Sequence, residues 1–432
     1  MSKRPGITPA LLLGAALALP SPAAAQADLS PRRTEGRIRA TLQVRERLES
    51  WNGFNFGSPA GATHDDLFLL TRVLAGVRLE LAPGSALFVQ GKSSLATRRE
   101  LAGGRSRAHV DELDLQQAYI EVRPDPSLSF RAGRQDLNFG AQRLVSALDW
   151  SNVRRAFDAL AIAFRGGQAR IDGFVGRPVA VRQYDFNEAS ESQTFGGVYA
   201  TGMLAANQLE LYWLYLRSDS IQLAGASGQE SRHTAGARLV RRDDERLLDV
   251  EVEAALQVGS IGSSDIGAWM ATVVLTRRFG VRDERPRIWL GLDYASGESG
   301  SATSIGTFNQ LFPLSHAYLG YADILGRQNA VDASVGASAT VAGTAVRVDV
   351  HRLWRASDSD AWYGAAGTVT RAASAGTSRD LGTELDLTLR RTVRPGITAQ
   401  AGYSLVRAGR FVEQAGSPSD LRFAYLMVTG QW

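Results

Sequence analysis

Apolar and polar residues alternate with a period of two along much of the chain. From 37 to 47, Ile38, Ala40, Leu42 and Val44 share one face, and Arg37, Arg39, Thr41, Gln43 and Arg45 share the other. Between 115 and 123, Ala118, Ile120 and Val122 oppose Gln117, Tyr119, Glu121 and Arg123, and from 247 to 258, Leu248, Val250, Val252, Ala254 and Leu256 oppose Asp249, Glu251 and Glu253. Val346, Val348 and Val350 then face away from Arg347, Asp349 and His351, and Leu381, Leu385, Leu387 and Leu389 away from Glu384, Asp386 and Arg390. An extended chain sends successive side chains to opposite faces, so this period predicts β-strands with one apolar surface.

Short turn signals punctuate the pattern: APGS at 82, RPDPS at 123, RGGQ at 165, AANQ at 205, RRDDER at 241, VRDERP at 281, VAGT at 341 and RPG at 394. Most are spaced about 40 residues apart, room for two strands, a tight turn and a longer loop. Eight such turns join strands in pairs and leave one strand at each end, which predicts about 18 strands.

Alternation alone also suits a soluble sandwich. Four further features favour a transmembrane antiparallel β-barrel: a highly charged polar face, short turns alternating with longer loops, an exported chain, and a last strand, LRFAYLMVTGQW, ending on an aromatic residue. Closure pairs every backbone donor and acceptor away from lipid. Short turns and both termini then belong to the periplasm, and the longer loops to the cell exterior. Tyr294, Trp354, Tyr403 and Trp432 are candidates for the aromatic girdles.

Residues 1–27, MSKRPGITPALLLGAALALPSPAAAQA, place Lys3 and Arg4 before an apolar run and small residues after it, the layout of a cleaved signal peptide. That run is too short to cross a bilayer, which takes roughly 20 residues. Residues 28–36 then form a short periplasmic segment and 37–432 the barrel, leaving no room for a plug domain. Localisation in the outer membrane of a Gram-negative bacterium follows, with outer-membrane lipid and the barrel-assembly machinery as partners.

Composition adds less. The chain has no cysteine, which excludes disulfides and thiolate metal sites. Formal charge is only +4, two of it in the signal, so nothing points to nucleic acid. All but two of the 48 lysine-plus-arginine residues are arginine, the planar fork that grips carboxylates in two places. Codon bias is an equally good source of that preference.

The densest chemistry lies at 133–160, GRQDLNFGAQRLVSALDWSNVRRAFDAL. Arg134, Arg143 and Arg155, with Asp149 and Asp158, are candidates for ligand contact in a loop able to fold into the pore, or for salt bridges that brace it. Strand parity adds Arg39, Arg45, Arg72, Arg78, Arg347 and Arg390 to the lumen, interleaved with acids that include Glu384 and Asp386. Weak, repeated cationic contacts suit conduction, because an anion must leave as well as enter. The acids can equally be read as pairing with the arginines to hold the barrel's shape. Catalysis finds little support. Asp149 and Asp158 could make a glycosidase carboxylate pair, but His64, His109, His233, His316 and His351 are scattered and no serine sits in a nucleophile elbow. His316 reads as a packing residue. Neither cofactor nor metal is implied. An adhesive surface barrel would need long, binding-rich loops, whereas 296–328 and 356–379 are mostly Gly, Ser and Ala.

The 133–160 stretch resembles the signature of the alginate export family through Gly133, Arg134, Gln135, Gly140, Arg143, Leu144, Asp149, Trp150, Asn152, Val153, Arg155, Phe157 and Asp158. DYASGESGSATSIGTFNQLFPLSHAYLGYADILGRQN is similar to a later family motif through Tyr294, Gly297, Phe308, Phe312, Pro313, His316, Gly320, Asp323 and Asn329. LGTELDLTLRRTVRPGITAQAGYSLVRAGRF matches through Gly382, Glu384, Asp386, Gly402, Tyr403, Gly409 and Phe411. The resemblance implies a monomeric 18-stranded porin whose arginine-rich lumen passes an anionic polysaccharide, alginate or a related polyuronate, outward with periplasmic export partners. The alternative is a porin for small anionic solutes, because the chain is short for a dedicated exporter and shows no evident periplasmic gating loop.

Overall fold

The computed structural model describes residues 37–54, 64–205, 207–280, 285–298, 304–372, 376–414 and 419–432. The expected signal peptide and the segment 28–36 lie outside the described residues. The chain is a closed antiparallel barrel of 18 strands. The first six are β1 (Ile38–Asn52), β2 (Asp66–Ala82), β3 (Ser85–Ala96), β4 (Asp111–Asp125), β5 (Leu128–Gln135) and β6 (Phe157–Gly166). They continue with β7 (Ala169–Ala180), β8 (Gln193–Leu204), β9 (Asn207–Leu223), β10 (Ala226–Asp243), β11 (Leu248–Ile261) and β12 (Ser264–Arg278). The last are β13 (Arg287–Ala295), β14 (Ala330–Val341), β15 (Thr344–Arg355), β16 (Asp380–Arg394), β17 (Ile397–Ala408) and β18 (Leu421–Gln431). Each strand pairs with the next, and β1 closes on β18 from Gln43↔Gln431 to Asn52↔Arg422.

The turn signals connect strands at one end, between β2 and β3 and then between every second pair of strands to β16 and β17, with residues 206 and 281–284 of two of them outside the described residues. That end also holds Ile38 and Trp432. Longer connections gather at the other end, with two exceptions. Ala224–Gly225 and Gly262–Ser263 join β9 to β10 and β11 to β12 tightly.

The period-two reading sets the faces. Ile38, Leu42 and Leu48 of β1 are exposed on the outer wall while Gln43, Arg45, Arg47 and Glu49 are buried inside. Outward Trp213, Trp269, Tyr294 and Tyr403 lie toward the loop end, and Phe130, Phe164, Phe279 and Trp432 toward the turn end, as two aromatic girdles. Leu381 departs from the expected outer face. A register shift opposite Leu353 and Trp354 makes it the extra residue of a bulge at Gly382 (φ 134°), and it turns into the interior, 1 % exposed.

Candidate functional site: the barrel interior

Two long connections fold inward, residues 136–156 and, of the second, 296–298 and 304–329, and they are joined to each other. Val145 and Phe312 make a parallel bridge; the Ser146 amide donates to the Phe312 carbonyl at 2.8 Å and the Phe312 amide to the Leu144 carbonyl at 2.9 Å. The Leu314 amide donates to the Gln142 carbonyl at 3.0 Å. Phe312 packs edge-on against Phe157 and Phe195, whose side chains, like that of Phe308, are fully buried. The lumen is therefore narrowed by a packed apolar core rather than by side chains hanging in water.

Charge is divided across the lumen. β1 to β3 turn Arg39, Arg45, Arg47, Arg72, Arg78 and Lys92 inward, while on the far side β9 and β11 contribute Glu210, Glu251 and Glu253. The 136–156 loop spans the gap with one group of opposite charge for each wall. Toward β1 and β2, the Asp149 carboxylate meets Arg72 at 2.7 Å, the Asp149 carbonyl accepts from Arg45 at 2.7 Å, and the Trp150 carbonyl accepts from Arg47 at 2.6 Å. Toward β11, Arg143 meets Glu251 at 2.5 Å and Glu253 at 2.8 Å. Burial alone would raise the Asp149 carboxyl, but Arg72, Arg154 and Arg45 outweigh it and hold it well below the usual carboxylate range. Burial likewise opposes the charge on Arg143, and Glu251 more than restores it. Arg154 completes the brace through Asp136 at 2.5 Å and Asp149 at 3.3 Å.

Arg155 differs. Its Nη1 donates to the Ser146 carbonyl at 2.8 Å and its guanidinium sits 5.3 Å from the Phe312 ring centre, with no carboxylate in ion-pair range among the described residues. Burial brings its pKa down to about 10, the mark of a cation that has given up water without gaining a counter-charge.

The other sequence candidates separate into groups. Arg45 and Arg72 are 3 % and 1 % exposed and are consumed by the loop. Arg78 is paired with Glu80 and Glu121 at 2.9 and 3.1 Å, and Arg347 with Asp349 at 2.5 Å, beneath the Trp289 ring. Arg39 is half-buried, its Nε without a hydrogen-bond partner among the described residues. Arg390 is exposed at the turn end. Glu384 and Asp386 accept the Ala322 and Tyr321 amides at 2.7 and 3.3 Å, docking the second inward loop on β16. His316 stacks on Trp150, with ring centroids 3.7 Å apart, as a packing residue does.

The pore position that the motif suggests for Arg134 and Asp158 is not where the strands place them. They face each other across β5 and β6 with the parity of Phe130, Leu160, Ile162 and Phe164, which are exposed on the outer wall. Their bidentate pair, at 2.8 and 3.1 Å, is joined by Asp114 and by the Asn187 carbonyl from the β7–β8 connection. β5 runs on through Gln135, so the opening of the motif is wall and not loop.

Several interior residues escaped the sequence reading, Arg47, Lys92, Arg154 and Arg327 among them. Arg327, fully buried, chelates Asp293 at 2.7 and 3.0 Å and donates to the Arg143 carbonyl at 3.2 Å, locking the two loops together. A signal was present: the tripeptide Gly-Arg-Gln occurs at 133–135 and again at 326–328.

Known proteins share this fold. The profile described as alginate export matches residues 37–424. The chain belongs to that family. No curated protein matches it significantly. Among solved structures, Pseudomonas aeruginosa OccK11 (OpdR) superposes with a TM-score of 0.60 at 12 % identity, over 91 % of this chain and 95 % of its own. The Pseudomonas aeruginosa outer membrane protein OpdK gives 0.62 at 11 %, over 91 % and 98 %, and OccK2 (OpdF) in complex with glucuronate gives 0.61 at 12 %, over 91 % and 97 %. At such identities the likeness is one of fold, that of a porin. This member of the alginate export family is a barrel of the Gram-negative outer membrane.

Proposed function

We propose that this chain is a non-catalytic channel for small carboxylate-bearing solutes of uronate size. The observation that carries the reading is Arg155: a half-buried guanidinium with a backbone acceptor, an aromatic ring and no carboxylate in ion-pair range among the described residues, beside Arg143 and Arg154, which are already paired. A passing carboxylate gains a charge-assisted contact there without first breaking an ion pair. Arg39 and Arg390 toward the turn end supply further weak contacts, so the solute meets several shallow wells in series. Narrowing of the interior by two loops favours a monomeric anion over a polymer. Two barrels of the same fold are described with glucuronate and with vanillate, which agrees with that class.

The polyuronate reading draws on the family's description as alginate export. Single-channel recording separates the two. The refolded barrel should be anion-selective, with flickering block by glucuronate that is lost in Arg155→Ala. Stronger block by alginate oligomers than by glucuronate would move the assignment to the polymer. Open current indifferent to both would overturn the anion reading.

A further inference from the structure

The outer wall at the closing seam carries a feature that conduction does not use. Where β16, β17, β18 and β1 adjoin, Ser50, Ala401 and Ala424 form a low floor and Leu48, Leu387 and Leu426 stand around it, enclosing a groove of ≈ 290 Å³. Ser50 is in register with Ala424, and Ala424 with Tyr403 of the girdle, so the groove lies at and below the girdle, within the apolar band. Lipid bathes this face. A hydrocarbon chain is the occupant its chemistry selects.

Directly above the groove the same face turns cationic. Arg422 is two residues up from Ala424, about 7 Å along the strand. Arg407 lies two residues above Leu405, the register partner of Arg422, and Arg352 and Arg407 flank Thr383 from either side. Two carboxylates answer these three guanidinia. Arg352 pairs with Asp380 at 2.8 Å and Arg407 meets Asp420 only at 3.7 Å, with 38 % and 71 % of the two arginine side chains still exposed. Arg422 has no ion pair among the described residues. A guanidinium donates to phosphate oxygens in two places and, being weakly hydrated, gives up little water in doing so.

An apolar slot at bilayer depth with a cluster of arginines at headgroup height is the shape of an anionic amphiphile. We propose that the seam binds one phosphorylated lipid of the outer leaflet, an acyl chain in the groove and a phosphate on Arg422, Arg407 and Arg352. Bound across β16 to β1, it would bridge the first and last strands at the point where the barrel closes.

Native mass spectrometry of the full barrel in detergent tests this, with a diphosphorylated lipid A glycolipid as probe and its dephosphorylated form as control. One glycolipid should be retained per barrel. Retention should fall at least tenfold in the combined variant Arg352→Ala, Arg407→Ala and Arg422→Ala, and also in Ala424→Trp, which fills the groove. The pair Arg177→Ala and Arg217→Ala, outward arginines on the far side, should leave it unchanged, and unaltered conductance verifies folding of each variant. Equal retention by wild type and the triple variant, equal binding of the dephosphorylated glycolipid, or equal loss in the far-side pair would each overturn the proposal. A dimer that excludes the probe would overturn it in favour of a second copy on this face.

Discussion

Asp149 and Arg143, six positions apart in one inward loop, reach opposite walls of the barrel: Asp149 meets Arg72 of β2 at 2.7 Å and Arg143 meets Glu251 of β11 at 2.5 Å. A single segment thereby cross-braces the lumen, its aspartate answering an arginine of one wall and its arginine two glutamates of the other.

Removing the Asp149 carboxylate leaves Arg72 without an ion pair among the described residues and leaves Arg154 with Asp136 alone. Breaking a buried pair from one side costs about 3–5 kcal/mol, and Asp149→Asn belongs at the low end because 29 % of its side chain is exposed. Urea unfolding in micelles should show a loss of roughly 3 kcal/mol at pH 7. Because the folded carboxyl titrates below its ordinary value, the wild-type advantage is full above about pH 4 and disappears as the pH falls below it. An Asn variant equal in stability to wild type at pH 7 would refute the brace.

His109 precedes β4, with its Nδ1 2.8 Å from the Ser106 hydroxyl. Burial, with Arg99 and Arg47 nearby, lowers its pKa to about 3. The folded value is depressed, so the neutral ring's contribution is complete above about pH 6.5 and is lost as the pH falls toward 3. Wild type should therefore lose more stability than His109→Asn between pH 7 and 4. Parallel pH profiles for the two would show that the ring is not held neutral.

Gly320 has φ 95°, and a Cβ on it would run into the Glu384 carboxylate. Gly320→Ala should lift the Tyr321 and Ala322 amides from Asp386 and Glu384 and release the second inward loop. Single-channel conductance should rise, with more current noise, while the wall stays folded. Unchanged conductance would mean that this loop does not narrow the path.

Arg143→Met keeps much of the side-chain volume and deletes the cation. Glu253 then keeps no arginine partner among the described residues, while Glu251 retains Arg238 at 3.1 Å. Reversal potentials in a salt gradient should shift toward cations, and in the opposite sense for Glu253→Gln. A shift of the same sign in both variants would contradict a direct electrostatic effect.

Much of the wall was legible because a strand's face is fixed by its own period. Turn chemistry located the eight short connections, and alternation assigned Arg39, Arg45, Arg72, Arg78, Arg347, Glu384 and Asp386 to the interior without any knowledge of their neighbours. Leu381 shows where that rule ends, since one bulge shifts the parity of the residues beyond it.

The order of amino acids alone was enough for a barrel of alternating strands, its count of turns, its export and the arginine-rich motif, all properties encoded within a few residues of chain. Folding in three dimensions settled that Arg134 and Asp158 lie on the outer wall, that Arg143 and Asp149 divide between two walls, and that Arg155 is left without a carboxylate. Partner choice across a lumen depends on where closure brings distant strands, and Glu251 stands more than one hundred residues from the arginine it holds.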